Sequence, residues 1–338
     1  LLVSDFDYEL PEELIAQAPP AERGSSRMLV VSRKERRFSN ERFPNFASYV
    51  GPGDCLVLNR TRVFPARLHG RRPTGGEVEV FLVRALPGEP LLWRALVRPA
   101  KRVRTGDKIQ FSDELAAEVV ERGEYGERLL RFSAAAPIDE VFERIGSVPL
   151  PPYIHRTPDE QDRERYQTVF AEERGSAAAP TAGLHFTEAM LDACRAAGAE
   201  IAFLTLHVGL GTFAPLRENQ IEKIQLHEEY FEIDEAEAAK MRAAKRRICV
   251  GTTSVRAVET AMLRGGLKAM HGDTNLFISP GFQFRATDAL LTNFHLPQSS
   301  LLILVSAFAG RELVLDAYRH AVAERYRFFS YGDCMLIV

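Results

Sequence analysis

The chain has 338 residues, 46% of them hydrophobic and 26% charged, with a formal net charge of −3. This is an ordinary globular composition and excludes a disordered chain, which needs low hydrophobicity and high net charge. The length suits about two domains and a core that needs no disulfide or metal staples. No apolar run reaches the ~18 residues of a membrane span. The longest, Leu301–Val305 with Ala307–Ala309, is broken by Ser306 and fits a buried helix. Cys55, Cys194, Cys249 and Cys334 are far apart and form no CxxC pair, so they read as reduced thiols. The chain starts at Leu and reads as trimmed, and its first residues carry no leader pattern. A cytoplasmic protein without membrane contact is therefore expected, with a monomer as the default.

Taken in order, Leu10–Ala18 holds a short helical pattern, Met28–Ser32 a strand, Arg33–Arg37 a charged turn and Cys55–Asn59 a buried strand. From about Ala66 the period changes. Glu77–Val83, Leu91–Val97, Lys108–Phe111, Ala116–Glu121 and Arg128–Phe132 are short strands separated by Gly, Pro or Asp, as at Pro87–Pro90 and Gly123–Gly126. This spacing predicts a small antiparallel barrel or sandwich. It is too short to be the whole protein, so residues 66–149 are expected to be an inserted domain, with 1–65 and 150–338 forming the other. Pro149–Asp162 reads as a linker or a substrate-facing loop. Helices and strands then alternate. Glu188–Ala197, Asp234–Arg247, Thr253–Leu263, Ser299–Ala309 and Glu312–Tyr326 read as helices, and Glu200–His207, Ile248–Gly251 and Thr274–Ile278 as strands. Asp234 is placed to cap its helix. The alternation predicts a layered α/β domain.

Polar, Gly-punctuated segments stand where strands give way to loops or helices: 59–62, 180–187, 207–213, 251–256 and 292–297. In an open α/β sheet ligands bind outside the carboxyl ends of the strands, so convergence of these segments would make a polar pocket. Gly209-Leu210-Gly211 lacks the third glycine of a dinucleotide fingerprint, and Pro215 disrupts the expected helix start. There is no GxxxxGK[ST], no HExxH or Cys/His pairing, and no GxSxG elbow. Nucleoside triphosphate chemistry, a metal centre and an acyl-enzyme thus lack a motif. His185, His207, His227 and His295 are widely spaced; each is either a hydrogen-bonding group in a polar or buried spot or a general acid or base, since the free pKa of histidine lies near working pH. Arg98, Lys101, Arg102 and Arg104 cluster in the β-rich segment, and Arg60, Arg62, Arg67, Arg71 and Arg72 lie at its start. Such stripes are either solvated surface or a track for the phosphates of a folded RNA. Tyr153, Tyr166 and Phe170 are core residues or stacking platforms for an unpaired base.

Taken together in one order, these segments resemble a known family. Its pieces here are 5–11 (DFDYELP), 14–17 (LIAQ), 57–63 (VLNRTRV), 165–168 (RYQT), 179–187 (APTAGLHFT), 207–213 (HVGLGTF), 251–253 (GTT), 292–297 (TNFHLP) and 326–333 (YRFFSYGD). The chain is similar to the S-adenosylmethionine:tRNA ribosyltransferase-isomerases of queuosine biosynthesis across nearly its whole length. Ser300 and Cys334 stand where the family pattern leads one to expect Thr and Ala. The resemblance implies an α/β domain with an inserted six-stranded β-barrel. It also implies transfer of the ribosyl group of S-adenosylmethionine, as a co-substrate rather than a resident cofactor, to 7-aminomethyl-7-deazaguanine at the tRNA wobble position. The product is epoxyqueuosine, and adenine and methionine leave. On that chemistry His185, His207, His295 and Asp333 are the candidate catalytic residues. Arg60, Arg62, Thr181, Gly183, Gly209, Gly211, Thr212, Thr252, Thr253, Arg256 and Asn293 are the candidate substrate ligands, and Arg98, Lys101, Arg102 and Arg104 the candidate RNA contacts. A methyltransferase and a tRNA-binding protein without chemistry are the alternatives.

Overall fold

A computed structural model describes all residues except 87, 125, 210–215 and 217. Its largest element is a nine-stranded mixed sheet built around β3 (Asp54–Asn59). The strand is buried on both faces. Cys55 and Val57 point into one apolar layer and Leu56 and Leu58 into the other, as the period of two requires. β3 pairs in parallel with β12 (Glu200–Leu206) on one side and β14 (Arg246–Val250) on the other. β14 pairs in parallel with β16 (Ala289–Asn293). Four adjacent strands therefore end on the same edge, at Asn59, Leu206, Val250 and Asn293. Toward one rim follow β17 (Cys334–Ile337), β1 (Arg27–Ser32) and β2 (Arg37–Arg42), and toward the other β13 (Glu229–Ile233) and β15 (Met270–Thr274).

The helices pack on this sheet. α5 (Thr252–Leu263) is buried over ten residues, and α6 (Ser300–Ala309) contains the apolar run broken by Ser306. α7 (Arg311–Ala323) packs beside α6. α3 (Glu188–Ala196) starts with the Thr187 side chain accepting the Met190 N–H.

Six antiparallel strands close into a separate barrel: β5 (Arg67–Arg71), β6 (Glu77–Leu86), β7 (Glu89–Arg98), β8 (Lys108–Ser112), β9 (Leu115–Arg122) and β10 (Glu127–Ala134). The barrel has its own apolar core, in which Trp93 packs between Phe64 and Phe142. Closure needs β5 and β8 to approach closely at Gly70. A Cβ there would lie 2.7–2.8 Å from Ile109 Cγ2, Gln110 O and Phe111 Cδ1. The chain enters and leaves the barrel side by side, since Arg67 bridges to Ser147.

Several sequence expectations are corrected here. The 10–18 pattern forms only one 3₁₀ turn, Glu12–Leu14. The helix after Asp234 ends at Ala243, and Arg246 and Arg247 begin β14. Asp234 holds the N-cap position but makes no cap bond, because its carboxylate receives Arg60 instead. The strand expected at 274–278 lies earlier, at Met270–Thr274, where its partner β13 runs. Of the expected Pro87–Pro90 turn, Pro87 lies outside the described residues, and Glu89 and Pro90 already belong to β7. No helix among the described residues is long and apolar enough to cross a membrane.

Candidate active site

A cavity of about 350 Å³ lies at the edge where the parallel strands end. Its walls are Pro180–Ala182, Gly251–Thr253, Thr292–Ser300 and Phe329–Ser330, with Tyr153, Val208 and Asn219 completing the rim. Three of the five polar segments thus meet in one space, and a fourth reaches it through Val208. Two helices begin at this wall. α5 opens at Gly251, whose φ of +87° suits glycine, and no side chain caps its first N–H groups. α6 opens at Ser299, whose Oγ accepts the Leu302 N–H. Both N-termini turn the positive ends of their dipoles toward the cavity, which favours an anionic group there.

Thr181, Thr252, Thr253, Asn293 and His295 line this cavity. The His295 main chain is fixed from both sides: its N–H donates to Tyr318 OH, and Tyr8 OH donates to its carbonyl. Its Nε2 lies 2.9 Å from Thr292 Oγ1, and burial pulls its pKa down to about 3. The ring is therefore neutral at physiological pH. The segment 5–11 explains itself here: Tyr8 holds His295, Asp7 accepts from Gln298 Nε2, and Phe6 O accepts from Gln298 N–H. Sequence reading found the motif but not its role, which only the fold reveals.

His185 sits one residue behind the wall. Asn293 Nδ2 donates to Phe329 O at 2.8 Å, which turns its Oδ1 toward His185 Nε2 at 3.3 Å. Nε2 must then carry the proton, and Nδ1 accepts from Ser26 Oγ at 2.9 Å. Burial lowers this histidine to about 4. Among the described residues four non-glycines have positive φ, and two of them, Gln298 and Phe329, are on the cavity. Backbone strain collects where function needs a fixed shape. Phe329 also stacks on Tyr153 at 4.4 Å, so the 149–162 segment does face the cavity.

The remaining candidates lie elsewhere. His207 is wedged between Tyr230 and Gly175, with Nδ1 bonded to Thr61 Oγ1 at 2.8 Å, and burial lowers its pKa. Asp333 is buried away from the cavity, where its two oxygens accept the N–H groups of Arg27 and Arg327. Burial raises its pKa despite these donors. Arg60 pairs with Asp234 and Glu172. Arg62 faces a separate cavity beside the barrel junction. Gly183 is buried against Thr168 and Phe170, which leave no room for a Cβ. Arg256 is buried, paired with Glu229, and borders a small cavity of about 30 Å³ with Gly209. Glu229 also accepts the Gly209 N–H. Gly211 and Thr212 lie outside the described residues. Tyr166 and Phe170 pack in the core, the former against Tyr331 and the latter against Phe186 and Phe203.

The two basic clusters separate on inspection. Arg60, Arg67 and Arg71 have carboxylate partners. Arg98, Lys101, Arg102 and Arg104 are exposed and have no ion pair among the described residues.

The fold and cavity define an α/β protein with a polar cavity at the carboxyl ends of its strands and an inserted barrel. Comparison with known proteins narrows this. The profile of the family described as "Queuosine biosynthesis protein" matches residues 3–337. The S-adenosylmethionine:tRNA ribosyltransferase-isomerase of Solibacter usitatus is 54% identical, over 99% of both chains. That of Syntrophotalea carbinolica is 53% identical, again over 99% of both. The crystal structure of the S-adenosylmethionine tRNA ribosyltransferase of Thermotoga maritima is similar at a TM-score of 0.58 and 38% identity, covering 99% of this chain and 100% of that one. The chain belongs to the queuosine biosynthesis protein family.

Proposed function

We propose that this chain is an S-adenosylmethionine-dependent tRNA ribosyltransferase-isomerase. It moves the ribosyl group of S-adenosylmethionine onto 7-aminomethyl-7-deazaguanine at the wobble position, giving epoxyqueuosine with loss of adenine and methionine. The observation that carries this reading is the strand-end cavity, in which Thr181, Thr252, Thr253, Asn293 and His295 meet two helix N-termini.

The chemistry follows from the substrate. A sulfonium acidifies the C–H of the ribose carbon beside it, so removal of that proton starts elimination toward adenine loss. The exocyclic amine of the modified base then attacks the ribosyl intermediate, and rearrangement expels methionine. His295 is the proton acceptor on this reading, because of the three histidines only it borders the cavity. A positioned base is typically worth ~100- to 10,000-fold, most when its pKa lies near the working pH, so at about 3 His295 stands at the weak end of that range. His185 is a positioning residue acting through Asn293. Both rings are held neutral by burial, so neither repels the cationic sulfonium. The uncapped N–H groups of α5 suit the methionyl carboxylate, and the threonine hydroxyls suit the ribose. Residues 66–149 serve as the RNA-handling unit, with Arg98, Lys101, Arg102 and Arg104 on tRNA phosphates.

The test is a product assay with S-adenosylmethionine and an anticodon stem-loop carrying 7-aminomethyl-7-deazaguanine. Adenine and methionine released with a heavier, ribosylated RNA is the expected result. S-adenosylhomocysteine with a methylated RNA would instead make it a methyltransferase. Tight RNA binding without products would make it a binding protein.

A further inference from the structure

We propose that Arg128 is the positioning residue of the barrel's RNA-docking turn: a buried guanidinium that grips the main chain of 100–103 from inside and thereby presents Lys101, Arg102 and Arg104 to tRNA phosphates. This rests on the reading that tRNA docks on this turn.

Arg128 lies on β10 and is only 1% exposed, yet no carboxylate faces it among the described residues. A buried charge without a partner is costly, and an apolar side chain would serve a barrel core better. Its donors go to carbonyls instead. Nε and Nη2 donate to Val103 O at 3.0 and 2.9 Å, Nη2 also to Ala100 O, and Nη1 to Glu127 O at 2.6 Å. Of the two carbonyls between, Arg72 Nη1 takes Arg102 O, at 2.8 Å. Ala100–Arg102 is a single 3₁₀ turn outside the sheet, so these carbonyls have no strand partner. Three of the four carbonyls of 100–103 are thus held, while Lys101, Arg102 and Arg104 are exposed and have no ion pair among the described residues, and Arg98 joins them at the end of β7. Even Asp107 is spent on the Arg104 N–H rather than on a cation. Unpaired like charges repel, so a free turn would splay. The inner guanidinium opposes that and adds its own positive field. Phosphate docking calls for several fixed cations without competing carboxylates, and this arrangement supplies them.

The experiment uses the full chain and a tRNA, with affinity measured across a salt series. Trp93 is the sole tryptophan and sits in the barrel core, so its emission reports barrel folding directly. Arg128→Met should leave Trp93 emission native, lower the salt slope by one to two, and speed trypsin cleavage after Lys101 and Arg102. Affinity for S-adenosylmethionine should not change. Native emission with unchanged slope and unchanged cleavage would overturn the proposal. If the Met variant loses its barrel, Arg128→Lys takes its place. It keeps the charge but loses the fork, and an unchanged salt slope there overturns the positioning role. Lys101→Ala with Arg102→Ala separates the two failures. No change in tRNA affinity for that pair removes the docking reading itself, and with it the proposal. A loss for that pair alone, with Arg128→Met or Arg128→Lys silent, removes only Arg128.

Discussion

The barrel and the strand-end cavity handle polar groups in opposite ways. In the barrel the buried guanidinium of Arg128 keeps its charge and donates to main-chain carbonyls, and the exposed cations stand outside. At the cavity wall and just behind it the buried polar groups are neutral and linked side chain to side chain: Thr292 to His295, and Ser26 to His185 to Asn293. The first arrangement suits a long-range, salt-sensitive partner. The second suits a small ligand whose atoms must be placed to fractions of an ångström.

The most severe way to test this contrast is to remove the cavity's proton acceptor. His295→Ala should lower turnover about 100- to 10,000-fold, with tRNA affinity and its salt slope unchanged. Loss of RNA affinity would show that the regions are not separable. Next in size, Gly70→Val forces a side chain into the β5–β8 contact, which is already at van der Waals limits without one. Overpacking of this kind typically costs 1–3 kcal/mol, roughly. Trp93 emission should shift and tRNA affinity fall, while S-adenosylmethionine still binds, as calorimetry would show.

The histidines give a pH test confined to the body of the chain. Their folded pKa values, about 4 for His185 and about 3 for His295, lie below the ordinary 6.5. As pH drops below 6.5 the unfolded chain takes up these protons and the folded chain does not. Stability is therefore fully present above 6.5 and is lost progressively toward pH 4. The melting temperature should fall between pH 7 and 5, and His185→Asn should flatten that slope. Turnover should show no acid limb near 6.5 from either ring. The smallest effect belongs to the surface. Lys101→Ala with Arg102→Ala should reduce the salt slope of tRNA binding by about two, with turnover at saturating tRNA unaffected.

Much of this plan was legible in the residues. Periodicity placed five of the six barrel strands and the buried β3, since short alternating runs between turn residues leave few other readings. β5 was missed because its Arg-Leu-His-Gly-Arg pattern is polar outside and its inner face includes a glycine. The strands at 229–233, 289–293 and 334–337 carry no clear local signal because each is short and takes its identity from a sheet neighbour distant in sequence. Gly-punctuated segments located the cavity, but could not rank the histidines. His207 and His295 both follow strands, yet one packs in a wall and the other borders the cavity. Ion pairs were equally invisible: nothing local to Arg60 announces Asp234, 174 residues away.

The bridge between Arg67 and Ser147 has a consequence for the history and the engineering of this chain. An insertion whose two ends meet costs its host little more closure entropy than a short loop would, because that entropy changes only slowly with length, and what it must match instead is a set of side-chain contacts: Phe64 and Ala177 in the barrel core, and Arg174 with Asp139 and Glu143. The barrel is in this sense a cassette: its strands close on themselves, so exchanging it leaves the register of the host sheet untouched as long as these contacts are kept. A chimera that swaps this cassette between relatives, with Phe64 and Arg174 matched to it, should therefore keep the host sheet and its strand-end cavity intact.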